Sequence, residues 1–252
     1  MKIISWFSCG AASAVATKIL LDKHRSAHEV RIMRIEIPEE HEDNERFAAD
    51  CEKWYGQKIE TIKSDKFENC EEVWKHRRYM AGIAGAPCTM IMKADVRRKV
   101  QGEWRPDLQA FGFTYEESKR ADRFRANNVE VGLITPLISE KITKADCYDI
   151  LTRAKIVIPT MYTLNFKNNN CKGCVKSSSP AYWNRIRKHF PDVFERRAVL
   201  SRELGAKLVT LKGKRIFLDE LPPNAGLKEK ELDVDCSIFC ITEDMIKDEN
   251  NE

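Results

Sequence analysis

The chain has 252 residues, enough for one large domain or a domain with an appendage. Hydrophobic residues make up 42% and charged residues 33%, the balance of a soluble globule, which excludes a disordered or fibrous chain. A net charge of +4 permits a small anion or a nucleic acid as partner and requires neither.

Residues 2–8 read as a buried strand, and residues 13–23 as a helix with Val15, Ile19 and Leu20 inward. The first eight residues are too short for a secretion signal and lack its small-residue cleavage site. No apolar run anywhere approaches the ~18 residues that cross a bilayer, so a cytoplasmic protein without membrane contact is expected. A second strand spans 30–37 and stops at Pro38; a helix over 43–55 ends at Gly56; a third strand spans 58–63, and a helix covers 71–80. This alternation argues for a mostly parallel sheet flanked by helices, an α/β fold.

The pattern then loosens. It predicts a basic helix over 90–100, a strand over 107–113, an acidic-basic helix over 115–125 and another helix over 144–154. Residues 165–179 have loop composition, and 182–204 form two helical pieces divided by Pro191. The expected organisation is a nucleotide-binding α/β core over 1–160, a cysteine-bearing C-terminal portion over 161–246, and a disordered tail over 247–252.

After the first strand come Ser8, Cys9, Gly10, Ala11, Ala12 and Ser13. Small residues between a buried strand and a helix start let backbone N–H groups approach an anion, and the helix dipole adds to the attraction. The same residues also make an ordinary tight turn with a serine cap, and spacing alone does not separate the two.

Nine cysteines are many for a reducing compartment, where disulfides are disfavoured. Cys171 and Cys174 form a Cys-x-x-Cys pair and Cys236 and Cys240 a Cys-x-x-x-Cys pair, a distribution that points to metal or redox chemistry. A Cys-x-x-Cys loop holds zinc or an iron–sulfur cluster when further ligands come from elsewhere. Cys9, Cys51, Cys70 and Cys147 lack metal spacing and read as packing residues.

Residues 7–15 resemble the modified PP-loop of the phosphoadenylylsulfate (PAPS) reductase family, within the adenine-nucleotide alpha-hydrolase superfamily of PP-loop ATP pyrophosphatases and tRNA sulfurtransferases. Three further segments extend the resemblance over residues 3–221: Gly112-Phe113-Thr114 with Glu117 and Arg120; Pro136-Leu137-Ile138; and Cys171-Lys172-Gly173-Cys174 before Tyr182-Trp183. It implies an adenine-nucleotide-binding, alpha-hydrolase-like fold, with Gly112, Glu117, Arg120 and Lys93 on the nucleotide side. It also implies a cluster, 4Fe-4S with zinc as the alternative, on Cys88, Cys171 and Cys174. The fourth ligand is Cys236, Cys240 or an open position for substrate sulfur. Residues 235–239 resemble the reductase tail that carries a catalytic cysteine, here Cys236, although Phe239 replaces its histidine and Cys240 is an addition.

ATP-cleaving members carry an aspartate where Ala12 stands, so the loop leans to the reductase branch. Thr114 likewise stands where many members have arginine. Arg97, Arg98 and Lys99 read as a solvated helix face, as do the Arg185–Arg187–Lys188–His189 and Arg196–Arg197 clusters, which nucleic acid would otherwise engage. Three readings follow: a PAPS-reductase-like enzyme of sulfur metabolism, served by a thiol electron-donor protein; an ATP-dependent sulfurtransferase that thiolates a tRNA or DNA base; and a non-catalytic nucleotide-binding module. Each is compatible with a homo-oligomer.

Overall fold

A computed structural model describes residues 1–82 and 85–226. In chain order its elements are β1 (Lys2–Trp6), α1 (Ala11–His24), β2 (Glu29–Ile35), α2 (Asp43–Tyr55), β3 (Glu60–Ile62), α3 (Cys70–Arg77), α4 (Pro87–Thr89), α5 (Asp95–Trp104), β4 (Leu108–Ala110), α6 (Ser118–Asn127), β5 (Leu133–Ile134), α7 (Pro136–Ser139), α8 (Lys144–Arg153), α9 (Thr160–Thr163), α10 (Pro180–His189), α11 (Pro191–Glu203), β6 (Val209–Leu211) and β7 (Lys214–Ile216). A π-helical turn, Met90–Ala94, joins α4 to α5. Two compact units result. The first comprises Met1–Glu36, Glu42–Lys63 and Arg98–Thr163; the second comprises Ile37–His41, Ser64–Arg97 and the chain from Leu164 onward.

In the first unit all five strands are parallel, in the order β3-β2-β1-β4-β5. This is the expected mostly parallel α/β sheet. β1 is central because four of its five residues are buried, the signature of a strand covered on both faces. Phe7, Val15, Leu20, Leu21, Phe47 and Tyr55 pack with Ile3 and Ile32 into one core that also takes in Cys9, Cys51 and Cys147, as their spacing suggested. Burial of each large apolar side chain contributes about 1.5–3 kcal/mol. Helix ends follow local chemistry. Gly56 closes α2 in the left-handed conformation at φ 64°, and Thr143 with Asp146 forms a capping box at the start of α8.

The strand order matters for function. From β1 the chain steps outward to β2 and β3, then returns to place β4 on the other side of β1. The segments leaving β1 and β4 therefore diverge at their carboxyl ends, which is where open α/β sheets bind ligands.

The second unit packs α3, α10 and α11 around Trp74, Trp183, Tyr182 and Phe194. Ser179 caps α10 by accepting from Tyr182 N–H, Pro180 occupies its first turn, and Pro191 starts α11 as expected. The sequence reading missed the antiparallel hairpin β6–β7, turned by Lys212 and Gly213 at positive φ. Three arginines read as solvated face are placed otherwise. Arg97 and Arg197 are buried, and Arg187 donates to the Leu221 carbonyl at 2.8 Å while stacking on Phe194. Burial is tolerated because each guanidinium is paired or stacked, which residue type alone does not reveal. Arg98 and Lys99 are exposed as expected.

Among the described residues no helix is long and apolar enough to cross a membrane. Cys236, Cys240 and the 247–252 tail lie outside the described residues.

Candidate functional site

The loop after β1 is built to stay small. Gly10 is the N-cap of α1, supplies no side-chain cap, and no acidic residue occupies the helix's first turn. The positive end of a fourteen-residue helix thus lies beside the loop without an anionic side chain of its own. Ser13 folds the loop on itself: its hydroxyl donates to the Gly10 carbonyl at 2.9 Å and accepts from Ser8 N–H at 3.1 Å. Ser8 is the exposed hydroxyl of the pair, donating to Ser13 Oγ at 3.2 Å. Cys9 is fully buried at φ 55°, its thiol donating to the Asn44 carbonyl at 3.8 Å, so it anchors the loop to the core.

Gly112, just past β4, closes the other side. A β-carbon there would sit 2.7 Å from both Cα and N of Ser13, so only glycine lets the two backbones meet. Thr114 and Glu117 form a capping box, with Thr114 N–H donating to Glu117 at 3.0 Å, and Arg120 pairs with the same carboxylate. Thr114 is thereby a helix cap where an arginine had been looked for. Tyr162 was missed by the sequence reading. Its hydroxyl accepts from Ala11 N–H at 3.4 Å, and Lys144 Nζ stands 5.7 Å from its ring. A lone tyrosine about 150 positions downstream carries no motif that would reveal this.

The remaining candidates lie in the second unit. Lys93, in the π-helical turn after Cys88, pairs with Glu40 at 3.5 Å, both side chains largely buried. Such turns often mark functional positions. Gly173 takes φ 69°, turning the chain between Cys171 and Cys174. Tyr182 ties the turn together, accepting from Cys174 N–H at 2.6 Å and donating to the Cys171 carbonyl at 3.2 Å.

Cys70, read from the sequence as a packing residue, is buried but stands in this same cysteine group. Its thiol pKa is pushed well up by hydrogen bonds with the thiols of Cys171 and Cys88 and by burial. Three thiols therefore converge. They stand in hydrogen-bonding contact rather than in a ligand cage, since among the described residues no group of three or more His, Cys, Asp or Glu has metal-holding geometry.

Two further observations bear on whether this cysteine group suits a metal centre. Trp74 Nε1 and Arg197 Nε are buried without hydrogen-bond partners. Arg197 stacks 4.6 Å over the Trp74 ring and pairs with Glu71, and its Nε lies 3.6 Å from where a Gly173 β-carbon would be. Leaving a buried donor unsatisfied costs about 1–3 kcal/mol. Soft thiolate donors beside uncommitted N–H groups fit a thiolate-held metal or iron–sulfur centre, whose sulfurs accept such bonds.

No family model matches the chain, and no curated protein matches it. Among solved structures it is similar to a phosphoadenylyl-sulfate (PAPS) reductase from Candida auris, at 13% identity and TM-score 0.42, over 66% of this chain and 78% of that one. It is also similar to the U34-tRNA thiolase NcsA from Methanococcus maripaludis, solved with its 4Fe-4S cluster, at 15% identity and TM-score 0.41, over 92% of this chain and 84% of that one. At these scores neither likeness bears on function.

Proposed function

We propose that the protein is a PAPS-reductase-like enzyme of sulfur metabolism that binds an adenylated sulfate nucleotide on the loop of Ser8 to Ser13. The observation that carries this reading is the position of the loop: it follows β1, meets Gly112 after β4, and so occupies the point where the strand order reverses. The uncapped start of α1 and the exposed Ser8 hydroxyl suit a phosphate or sulfate group. Tyr162, held on Ala11 N–H, and Lys144 add a hydroxyl and a cation on the same side of the unit. The adenine preference comes from the family resemblance alone.

In the second unit Cys88, Cys171 and Cys174 would hold an iron–sulfur cluster, which supplies redox-active, anionic sulfur-ligated iron when bound. Tyr182 fixes the two ends of the Cys171 to Cys174 turn, and Arg197 places a buried cation behind it. The thiol that would attack the substrate sulfur is Cys236.

The same parts would serve an ATP-dependent sulfurtransferase, and the convergence of Cys70, Cys88 and Cys171 is equally at home there. Ala12 counts against it, since that position lacks the carboxylate that metal-assisted ATP cleavage uses. The test is to purify the full chain without oxygen and assay iron, acid-labile sulfide, sulfite release from PAPS or adenylylsulfate with a thiol donor, and pyrophosphate release from ATP with tRNA or DNA. Sulfite release that Ser8→Ala and Cys236→Ser abolish supports the reductase reading. Nucleic-acid-dependent pyrophosphate release replaces it with the sulfurtransferase reading. Nucleotide binding with neither activity leaves a binding module.

A further inference from the structure

We infer that Cys70 is a protein thiolate ligand of the metal centre, completing with Cys88, Cys171 and Cys174 a closed four-cysteine set. The inference rests on the cofactor reading above and sharpens it, because it replaces Cys236 and Cys240 as the source of the fourth ligand.

Several independent ties bring Cys70 to the Cys-x-x-Cys turn. Glu39 holds both: its carboxylate accepts from Cys70 N–H at 2.7 Å, and its backbone carbonyl accepts from Lys172 N–H at 2.7 Å. Glu71, the next residue along, pairs with Arg197, whose side chain lies against Gly173 between the two loop cysteines. Asn69 caps α3 by accepting from Glu72 N–H at 3.0 Å, which fixes Cys70 as the first helical residue. α3 packs on α4, which carries Cys88. The Cys70 thiol accordingly shares hydrogen bonds with the thiols of Cys88 and Cys171.

The chemistry agrees. Zinc and four-iron clusters each take four thiolates, and each thiol gives up its proton to solvent as its sulfur binds the metal. Buried anionic sulfur needs compensation, and the Arg197 guanidinium with the uncommitted Nε–H groups of Trp74 and Arg197 provides it. Trp74 lies one helical turn after Cys70 on the buried side of α3. A closed set also leaves no coordination position for substrate sulfur, which assigns sulfur handling to a thiol outside the centre.

The experiment compares three full-length chains purified without oxygen: wild type, Cys70→Ser, and the tail double variant Cys236→Ser/Cys240→Ser. Each is freed of metal, reloaded with cobalt(II), and examined by the sulfur-to-cobalt charge-transfer band and by X-ray absorption for the number of sulfur ligands. The tail variant is expected to match wild type at four sulfurs, while Cys70→Ser loses about a quarter of the band intensity. Iron and acid-labile sulfide, measured on the proteins as isolated, should be retained in the tail variant and reduced in Cys70→Ser. Three sulfurs in the tail variant, or undiminished intensity in Cys70→Ser, overturns the assignment. Should Cys70→Ser not fold by circular dichroism, the sulfur count of the tail variant decides alone. Four sulfurs on cobalt in a protein isolated without iron would uphold the ligand set and sink the iron–sulfur reading.

Discussion

Gly112 and Ser13 meet backbone to backbone: a β-carbon on Gly112 would lie 2.7 Å from Ser13 Cα and N and 2.9 Å from the Ala12 carbonyl carbon. Neither side can yield cheaply, since one is the first turn of α1 and the other the exit of β4. Gly112→Ala is therefore expected to cost about 1–3 kcal/mol through overpacking. Thermal melts should show a fall of roughly 2–4 °C per kcal/mol. An unchanged melting temperature would show that the contact is looser than described.

Gly10 gives the contrasting case. Its φ is −94°, which any residue adopts, and an added β-carbon would meet no atom closer than the Tyr162 hydroxyl at 3.4 Å. Gly10→Ala should fold with near-normal stability. It should still bind adenine nucleotide about tenfold more weakly, a loss of about 1.4 kcal/mol, because the methyl group enters the space an anion would occupy. Calorimetric titration with PAPS and ATP checks this, and full affinity would remove the loop from the binding site.

The two unit-one helix cysteines should be inert. Burial pushes the thiols of Cys51 and Cys147 up to about 12. At pH 8 the thiolate fraction at either is on the order of one in ten thousand. Iodoacetamide treatment of the native protein, mapped by mass spectrometry, should leave both unlabelled until denaturant is added. Rapid native labelling of either would contradict the burial.

Acid stability should show the mark of Asp43. Its carboxyl is lowered from 3.8 to about 2, first by hydrogen bonds from Arg46, against a burial effect that opposes them, and then by Thr160 N–H. A depressed carboxylate pKa stabilises the fold above the unfolded value and loses that contribution as pH falls. Wild type should therefore lose stability between about pH 4 and pH 2. Asp43→Asn should be less stable at pH 7 and show a flatter dependence in that window. Parallel acid titrations followed by circular dichroism would reveal it; identical profiles would exclude the role.

Much of the first unit is legible in the sequence because its signals are local. An apolar strand followed by small residues announces the loop of Ser8 to Ser13, Gly56 announces a helix end, and Pro191 announces a break. Cys70 is not legible this way. Its partners lie 18 and 101 positions downstream, and only Glu39, from an excursion of the chain into the second unit, brings its helix to the Cys171 turn. Arg197 misleads for a related reason. A charged residue between polar neighbours signals solvent, and its burial depends on a remote aromatic face and on Glu71. The β6–β7 hairpin escapes because three-residue strands are too short to show alternation.

The Glu39 tie also has a consequence for biosynthesis. The segment Ile37–His41 leaves the ribosome early but belongs to the later-completed unit, and its carbonyl must wait for Lys172. Cys171 is the 83rd residue after Cys88, so at about 5–20 residues per second the nascent chain carries Cys70 and Cys88 for roughly 4–17 seconds before their partners exist. During that interval two thiols are open to oxidation or to stray metal. Maturation in air and at fast growth should therefore yield a mixed population, one that slow, anaerobic expression makes uniform.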